Sequence, residues 1–482
     1  MPVQRLRGRC LGPVELGQPL PQQQGLRQGL GRARGFGHQR RCQRRRSAGR
    51  RIRQTAAGGE PTEPVRSSWS PSDRHFHDPR PRWRRNGRGQ GVQGPFALEI
   101  REVGVVGPWT VAQVSEEELL RPVLEIFAAH NERAEAARSG RLLLGPGDDC
   151  AVYDLTPGRT VVTVDTQTQG QDYLRTYPCG YTVRGWELGW KSAAQNLADV
   201  AAMGALPTGL VISLTLPPET PVDWVTDMAR GYCAAIRTLG AAHCTVGGGD
   251  VGSGTELSAT VAAFGTVPEG GPLDASHGSA RGRASGPVLR SGARPGDVLV
   301  LAGTVGRAAA GLEILMDRQG AFPMPVPEHA ETGPAWGAPE DDPSALAASQ
   351  LRPLPPLHLG PDLAAAGATA MIDVSDGLLK DAERVARASG VAIDVDSSRL
   401  TPLVEPLRRA ATFVDEDPLE WVLHGGEDHG ILATLPSTAD LPAGAIAIGS
   451  CGESTDRAPH ISVDGRPRDQ RGWDHFAAKD RV

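Results

Sequence analysis

The 482-residue chain carries 51 Lys and Arg against 56 Asp and Glu, but this near balance hides two unlike parts. Residues 1–100 hold 21 Arg, no Lys and six acidic residues, a net of +15, which leaves the remainder at −20. Seven Cys without a CxxC pair argue against a disulfide scaffold or zinc finger and for a reducing, cytoplasmic setting, and with no apolar run of about 18 residues and no apolar leader, neither a membrane span nor secretion is expected.

Residues 1–103 are rich in Arg, Gln, Gly and Pro, and their apolar content is too low to offset the entropy of ordering. They read as a disordered extension. Twenty-one Arg with no Lys is also what out-of-frame translation of GC-rich DNA produces. An over-extended start is therefore favoured over a basic arm for nucleic acid, and nucleic acid is not an expected partner.

Folding is expected to begin near Val111. Ser115 with Glu118 forms a capping-box pattern, and Leu119, Leu120, Val123, Leu124 and Phe127 follow at helical spacing. Two apolar runs, Arg141 to Ala151 and Thr160 to Asp165, read as strands, and Gln167 to Tyr181 as a loop. Trp186 to Met203 reads as a helix. Within it, Gly185 to Ser192 superficially resembles a phosphate-binding glycine loop, but two Trp stand where small residues are needed, so Lys191 and Ser192 are assigned to the helix. Thr208 to Leu216 is a strand, Pro221 to Leu239 a helix and Leu257 to Val267 a strand. Residues 268–289 read as a linker or insertion. A strand at Val298 to Ala302 and a helix at Gly303 to Met316 precede a Pro-rich acidic loop over 320–349. Further strands are expected at Ala370 to Asp373, Val391 to Val395, Gly430 to Leu435 and Ala445 to Ile448.

One pattern recurs along this series: a strand or helix delivers a carboxylate at or beside a glycine turn. It does so at Asp148–Asp149, Asp165, Asp250, Asp373–Asp376 and Glu427–Asp428. Any one of these reads equally well as a solvated turn or cap. Asp199, near the C-terminal end of its helix, is disfavoured by the helix dipole and calls for a partner. Carboxylates gathered together would repel by several kcal/mol, and hard oxygen donors in this number suit Mg²⁺.

In this order, Gly147-Asp-Asp-Cys-Ala151, Gln195-Asn-Leu-Ala-Asp-Val-Ala-Ala-Met-Gly-Ala205, Gly248-Gly-Asp250, Arg290-Ser-Gly-Ala-Arg-Pro-Gly-Asp297, Ile372-Asp-Val-Ser-Asp-Gly-Leu378 and Gly425-Gly-Glu-Asp428 resemble the thiamine-monophosphate kinase family of the aminoimidazole-ribotide-synthetase-like ATP-binding superfamily. The resemblance runs from about 115 to 476. It implies an α/β (α+β) fold of two domains, 104–267 and 290–482, with the N-terminal sheets of two subunits pairing into a barrel across a dimer. It also implies ATP-dependent conversion of thiamine monophosphate to thiamine diphosphate. The implied ligands for several Mg²⁺ ions are Asp149, Thr163, Val164 through its carbonyl, Asp165, Asp199, Asp250, Asp373 and Asp376. The implied ATP contacts are Gly249, Asp250, Arg290 and Ser375, and the implied substrate contacts are Glu427, Trp473 and the position of Asp172. Two departures stand out. Asp172 occupies a place where the family usually has His, and residues 268–289 are longer than usual before Arg290.

An acidic site suits this chemistry. Two polyanions must meet, and cations held by Asp cancel their repulsion before in-line attack. An already ionised phosphate acceptor requires neither a general base nor a covalent nucleophile on the protein. Two rival readings are a sister synthetase of the superfamily and a non-catalytic nucleotide- or thiamine-binding protein. The first, if a selenophosphate synthetase, would be expected to carry a reactive Cys in a glycine-rich N-terminal segment, and none is found. The second would not need to keep mutually repelling carboxylates.

Overall fold

A computed structural model describes residues 109–134, 140–144, 152–155, 159–267, 286–317, 341–454, 461–468 and 472. Residues 1–103, the inserted stretch 268–285, Asp149, Trp473 and most of 320–349 lie outside the described residues.

The chain opens with α1 (Glu116–Arg133), started as its sequence demands. Ser115 Oγ accepts from the Glu118 amide at 3.3 Å, and Glu118 Oε2 accepts from the Ser115 amide at 2.8 Å. Strands β1 (Gly140–Leu144) and β2 (Val152–Leu155) pair antiparallel as a separate two-stranded ribbon. Then follow β3 (Arg159–Thr168), α2 (Gly185–Ala202), β4 (Leu206–Leu216), α3 (Val222–Thr238), β5 (Thr245–Ser253) and β6 (Ser258–Val267). These strands make a four-stranded sheet in the order β3-β6-β4-β5, with β4 and β5 parallel and the other pairs antiparallel.

Alternation along β3 decides which way this sheet faces. Val161, Thr163, Asp165 and Gln167 turn toward α2, whereas Val162 and Val164 are 72% and 61% exposed. Helix α2 is buried along nearly its whole length, and α3 packs across it with backbone against backbone. A Cβ on Gly189 would stand 2.1 Å from the Met228 carbonyl oxygen, and one on Gly231 2.0 Å from that of Trp186.

The second layer system comprises β7 (Asp297–Ala302), α4 (Arg307–Met316), α5 (Pro343–Leu351), α6 (Leu359–Ala365), β8 (Ala370–Val374), α7 (Leu378–Ser389), β9 (Val391–Val395), α8 (Thr401–Val404), α9 (Arg408–Val414), α10 (Pro418–His424), β10 (Gly430–Pro436), β11 (Ala445–Glu453), β12 (Ile461–Val463) and β13 (Arg466–Pro467). Its seven strands run β13-β12-β9-β11-β7-β10-β8. Strands β8 and β10 are buried on both faces, and α2 touches both. One helix thus packs against both sheets.

The α/β character stands, but the expected barrel does not. The four-stranded sheet is open, ending at β3 and β5, and β1–β2 pair with each other instead of extending it. Two local expectations also change. Gly247–Gly249 lie inside strand β5 rather than in a turn, because glycine lets β5 approach β4 closely. A Cβ on Gly249 would stand 1.6 Å from the Ile212 carbonyl oxygen. The Pro-rich loop ends early, since Asp342 caps α5 by accepting from the Ser344 amide at 2.9 Å.

Candidate active site

Three elements bring acidic side chains together between the two sheets. Asp165 comes from β3, Asp199 from the last turn of α2 and Asp373 from β8. The register is held by side chains of α2: Asn196 Oδ1 accepts from the Asp165 amide at 3.1 Å, and Gln195 Oε1 accepts from Gln167 Nε2 at 2.5 Å. The partner that Asp199 lacks in its own helix is Thr163, whose hydroxyl donates to Oδ2 at 2.6 Å. Burial, then the charge of Asp373, pushes the Asp199 carboxyl up to about 7 against the lowering effect of Thr163. Burial also raises Asp165, with Asp373 and Asp172 adding to it, while His429 and a hydrogen bond with Asp199 pull the other way. The group is short of positive charge.

The second motif pair meets at the end of β8. Gly426 of one turn presses on Ser375 and Asp376 of the other, so that a Cβ on Gly426 would lie 2.1 Å from the Ser375 carbonyl oxygen. The Glu427 amide donates to that same oxygen at 3.0 Å. Three consecutive residues then diverge. Glu427 pairs with Lys191 Nζ of α2 at 2.7 Å and accepts from Gln350 Nε2 of α5 at 2.7 Å. Burial pushes its carboxyl up, but Lys191 and Gln350 hold it below the usual range. Asp428 turns the other way and caps α4, accepting from the Ala308 amide and the Thr304 hydroxyl, both at 3.1 Å. Its carboxyl is pushed up to about 6 by burial against those two bonds. His429 turns back toward Asp373, with Nδ1 3.2 Å from Oδ2.

Asp376, three residues after Asp373, sits among cations. Its Oδ2 meets Arg384 Nη2 and lies 3.4 Å from Lys380 Nζ. Neither Ser375 nor Asp376 caps α7. Asp381 in the first turn does so from inside, with Oδ2 accepting from the amides of Ser375, Asp376 and Gly377 at 3.0–3.2 Å and Oδ1 pairing with Arg384 at 2.5 Å.

Gly249, Asp250 and Arg290 stand apart from the acidic group, whereas Asp172 lies near enough for its charge to raise Asp165. Gly249 lies on the same rung of the sheet as Asp165, through Val261 and Ile212, but at the opposite edge. At about 4.8 Å per strand, that is roughly 14 Å away. Gly249 and Asp250 border a cavity of about 110 Å³ lined by Leu120, Phe127, Met228 and Tyr232 of α1 and α3. Arg290 is exposed beside the start of β8, where the Met371 amide donates to the Leu289 carbonyl, whereas Ser375 follows the strand's other end. Asp172 closes its own turn, with Oδ2 accepting from the Thr168 amide at 2.7 Å. Among the described residues, no three His, Cys, Asp or Glu side chains converge on one ion-sized point.

Lys191, Gln350, Asp381, Arg384 and His429 hold the site in place, and sequence reasoning assigned none of them to it. Lys191 carried one signal: a Lys on a largely apolar helix needs a counter-charge, though the sequence does not point to one 236 positions away.

The family described as AIR synthase related protein, N-terminal domain, matches residues 147–267. The thiamine-monophosphate kinase of Mycobacterium tuberculosis is 36% identical over 340 residues, covering 70% of this chain and 87% of that protein. Among solved structures, the thiamine-monophosphate kinase of Stenotrophomonas maltophilia has a TM-score of 0.53 and 29% identity, covering 72% of this chain and 96% of its own. AaThiL complexed with AMPPCP and TMP has a TM-score of 0.53 and 26% identity, covering 75% and 99%. With its ordered motifs, fold and relatives in agreement, this chain belongs to the thiamine-monophosphate kinase family.

Proposed function

We infer that this chain is an ATP-dependent kinase that phosphorylates thiamine monophosphate to thiamine diphosphate, in thiamine diphosphate biosynthesis, and that it does so at the acidic group between the two sheets. The observation that carries the location is the charge deficit at Asp165, Asp199 and Asp373, three carboxylates from three elements, Asp373 buried and the other two half-buried, set against the one ring of His429.

That deficit is also the test of whether Mg²⁺ fits. The donors are hard oxygens, and the raised carboxyls of Asp165 and Asp199 are what a divalent cation would relieve. Asp165, Asp199 and Asp373 with the Thr163 hydroxyl are proposed as its donors, one or two carboxylates to an ion, since the three do not converge on one ion-sized point. Asp149, which lies outside the described residues, the Val164 carbonyl, Asp250 and Asp376 are proposed as further ligands. Bound Mg²⁺ would neutralise the phosphate oxygens and polarise the transferring group.

The protein's part is positioning. The Asn196 and Gln195 bonds fix the edge strand that bears Asp165. Arg290, Gly249, Asp250 and Ser375 are proposed for ATP. Glu427, Trp473 and the Asp172 turn are proposed for the thiamine moiety, and its cationic thiazolium suits a carboxylate and an aromatic ring. A homodimer is supported by the exposed Val162 and Val164 on β3 and Val211 on β4, an apolar face on an open sheet. Among the described residues, no helix is long and apolar enough to cross a membrane, and a cytoplasmic setting accords with the Cys pattern.

The test is to incubate the full chain with ATP, Mg²⁺ and thiamine monophosphate and follow thiamine diphosphate by chromatography. Product that needs all three components is the expected result. ATP turnover only with another superfamily acceptor would move the function to a sister synthetase. Ligand binding by calorimetry without turnover would favour a binding protein.

A further inference from the structure

We propose that His429 is a positioning residue for Asp373, holding that carboxylate in the orientation in which it receives a divalent cation. The proposal rests on the reading of Asp373 as a metal ligand. His429 is 5% exposed and stands in the left-handed region with φ 55°, a conformation a non-glycine side chain adopts at a cost. Its backbone is clamped there by the amide's hydrogen bond to the Val374 carbonyl at 3.2 Å, immediately before β10 pairs with β8. The ring has two nitrogens with different fates. Nδ1 lies 3.2 Å from Asp373 Oδ2, and Nε2 is buried with no hydrogen-bond partner among the described residues.

A strained backbone and an unpaired buried nitrogen are both unfavourable, so the fold keeps this ring against a cost. Its hydrogen bond restrains the rotation of the Asp373 carboxylate and leaves Oδ1 as the donor. The ring reaches Asp373 from the turn that also carries Glu427, so one short segment ties the acidic group to the Lys191–Glu427–Gln350 contact. Partners that orient a ligand in this way are worth roughly 10–100-fold in metal affinity.

The experiment titrates the full chain with Mn²⁺ alone and reads the free ion by electron paramagnetic resonance. His429→Phe is expected to weaken Mn²⁺ binding at least about tenfold, and His429→Asn, whose amide can occupy the Nδ1 position, to stay within about threefold of the unaltered chain. In parallel assays the half-saturating Mg²⁺ concentration shifts in the same order, while KM for thiamine monophosphate stays within about twofold. Unchanged Mn²⁺ binding in folded His429→Phe, or equal loss in Phe and Asn, overturns the proposal and leaves the metal reading intact. If the unaltered chain binds no Mn²⁺, the metal reading falls and takes the proposal with it. Should His429→Phe fail to fold, His429→Gln decides instead, since its amide reaches only the Nε2 position. Binding weaker than that of Asn supports the proposal, and binding as tight as that of Asn overturns it.

Discussion

Asp373 and Asp376 are three residues apart at the end of one strand, yet their charges are handled in opposite ways. Asp376 is surrounded by Arg384 and Lys380, and its neighbour Asp381 has three backbone amides and the same Arg384. Asp373 faces Asp165 and Asp199, with His429 as its hydrogen-bonded neighbour. Proximity of carboxylates is therefore a poor marker of a site by itself. The shortfall of counter-charge, three carboxylates against His429, is the informative feature, because an unfavourable charge balance of this kind marks a candidate functional site.

Substitution at Asp199 should break the comparison most visibly. Asp199→Asn is expected to lower turnover at least about 100-fold, as when a transition-state charge contact is lost. The same change should stabilise the metal-free protein at pH 8 by about 1–3 kcal/mol. A carboxyl raised to about 7 favours the fold when protonated, and that contribution is lost as pH rises through 7, so at pH 8 the amide removes a penalty. Kinetics and thermal melts in chelator should therefore move in opposite senses. Asp376→Asn should lower turnover by a similar factor without any gain in stability, since its charge is already met by Arg384 and Lys380. A higher Tm for that variant would show that the two groups are not different in kind. Arg384→Met should cost about 2 kcal/mol in denaturant melts by leaving buried Asp381 without its ion pair.

The smallest effect serves as a control away from both groups. His130 of α1 is held below its usual pKa by burial, with Nε2 2.9 Å from the Cys244 carbonyl. Its contribution is full above about pH 6.5 and is lost as pH falls toward the lowered folded value, typically less than about 1 kcal/mol. The drop in Tm from pH 8 to 5.5 should shrink in His130→Gln. An unchanged drop would assign the acid sensitivity elsewhere.

The sequence made the acidic residues visible because each advertises itself locally. Asp165 ends an apolar run, Asp199 sits at the wrong end of a helix, and Asp373 and Asp376 flank a strand-to-helix turn. The α1 cap was equally local, and it is present as written. What stayed hidden depends on partners far along the chain. Lys191 looks like a helix residue until Glu427 is placed against it, and Asp381 looks like a surface acid until three amides point at it. Gly247–Gly249 have the composition of a turn but serve close strand pairing, a difference only the neighbouring strand reveals. The barrel expectation rested on resemblance alone, and the open sheet corrects it.

The glycine seam between α2 and α3 bears on how this enzyme can adapt. Backbone rests on backbone at Gly185, Gly189 and Gly231, so the helix has no compressible side-chain layer on which to slide or turn. Lys191 and Asp199 are eight residues apart on it, about 12 Å at 1.5 Å per residue. Helix α2 thus works as a fixed ruler between the Glu427 contact and the acidic group. A lineage that came to use a longer or shorter acceptor would have to rebuild the turns that meet the ruler, because the ruler itself cannot be re-cut one substitution at a time.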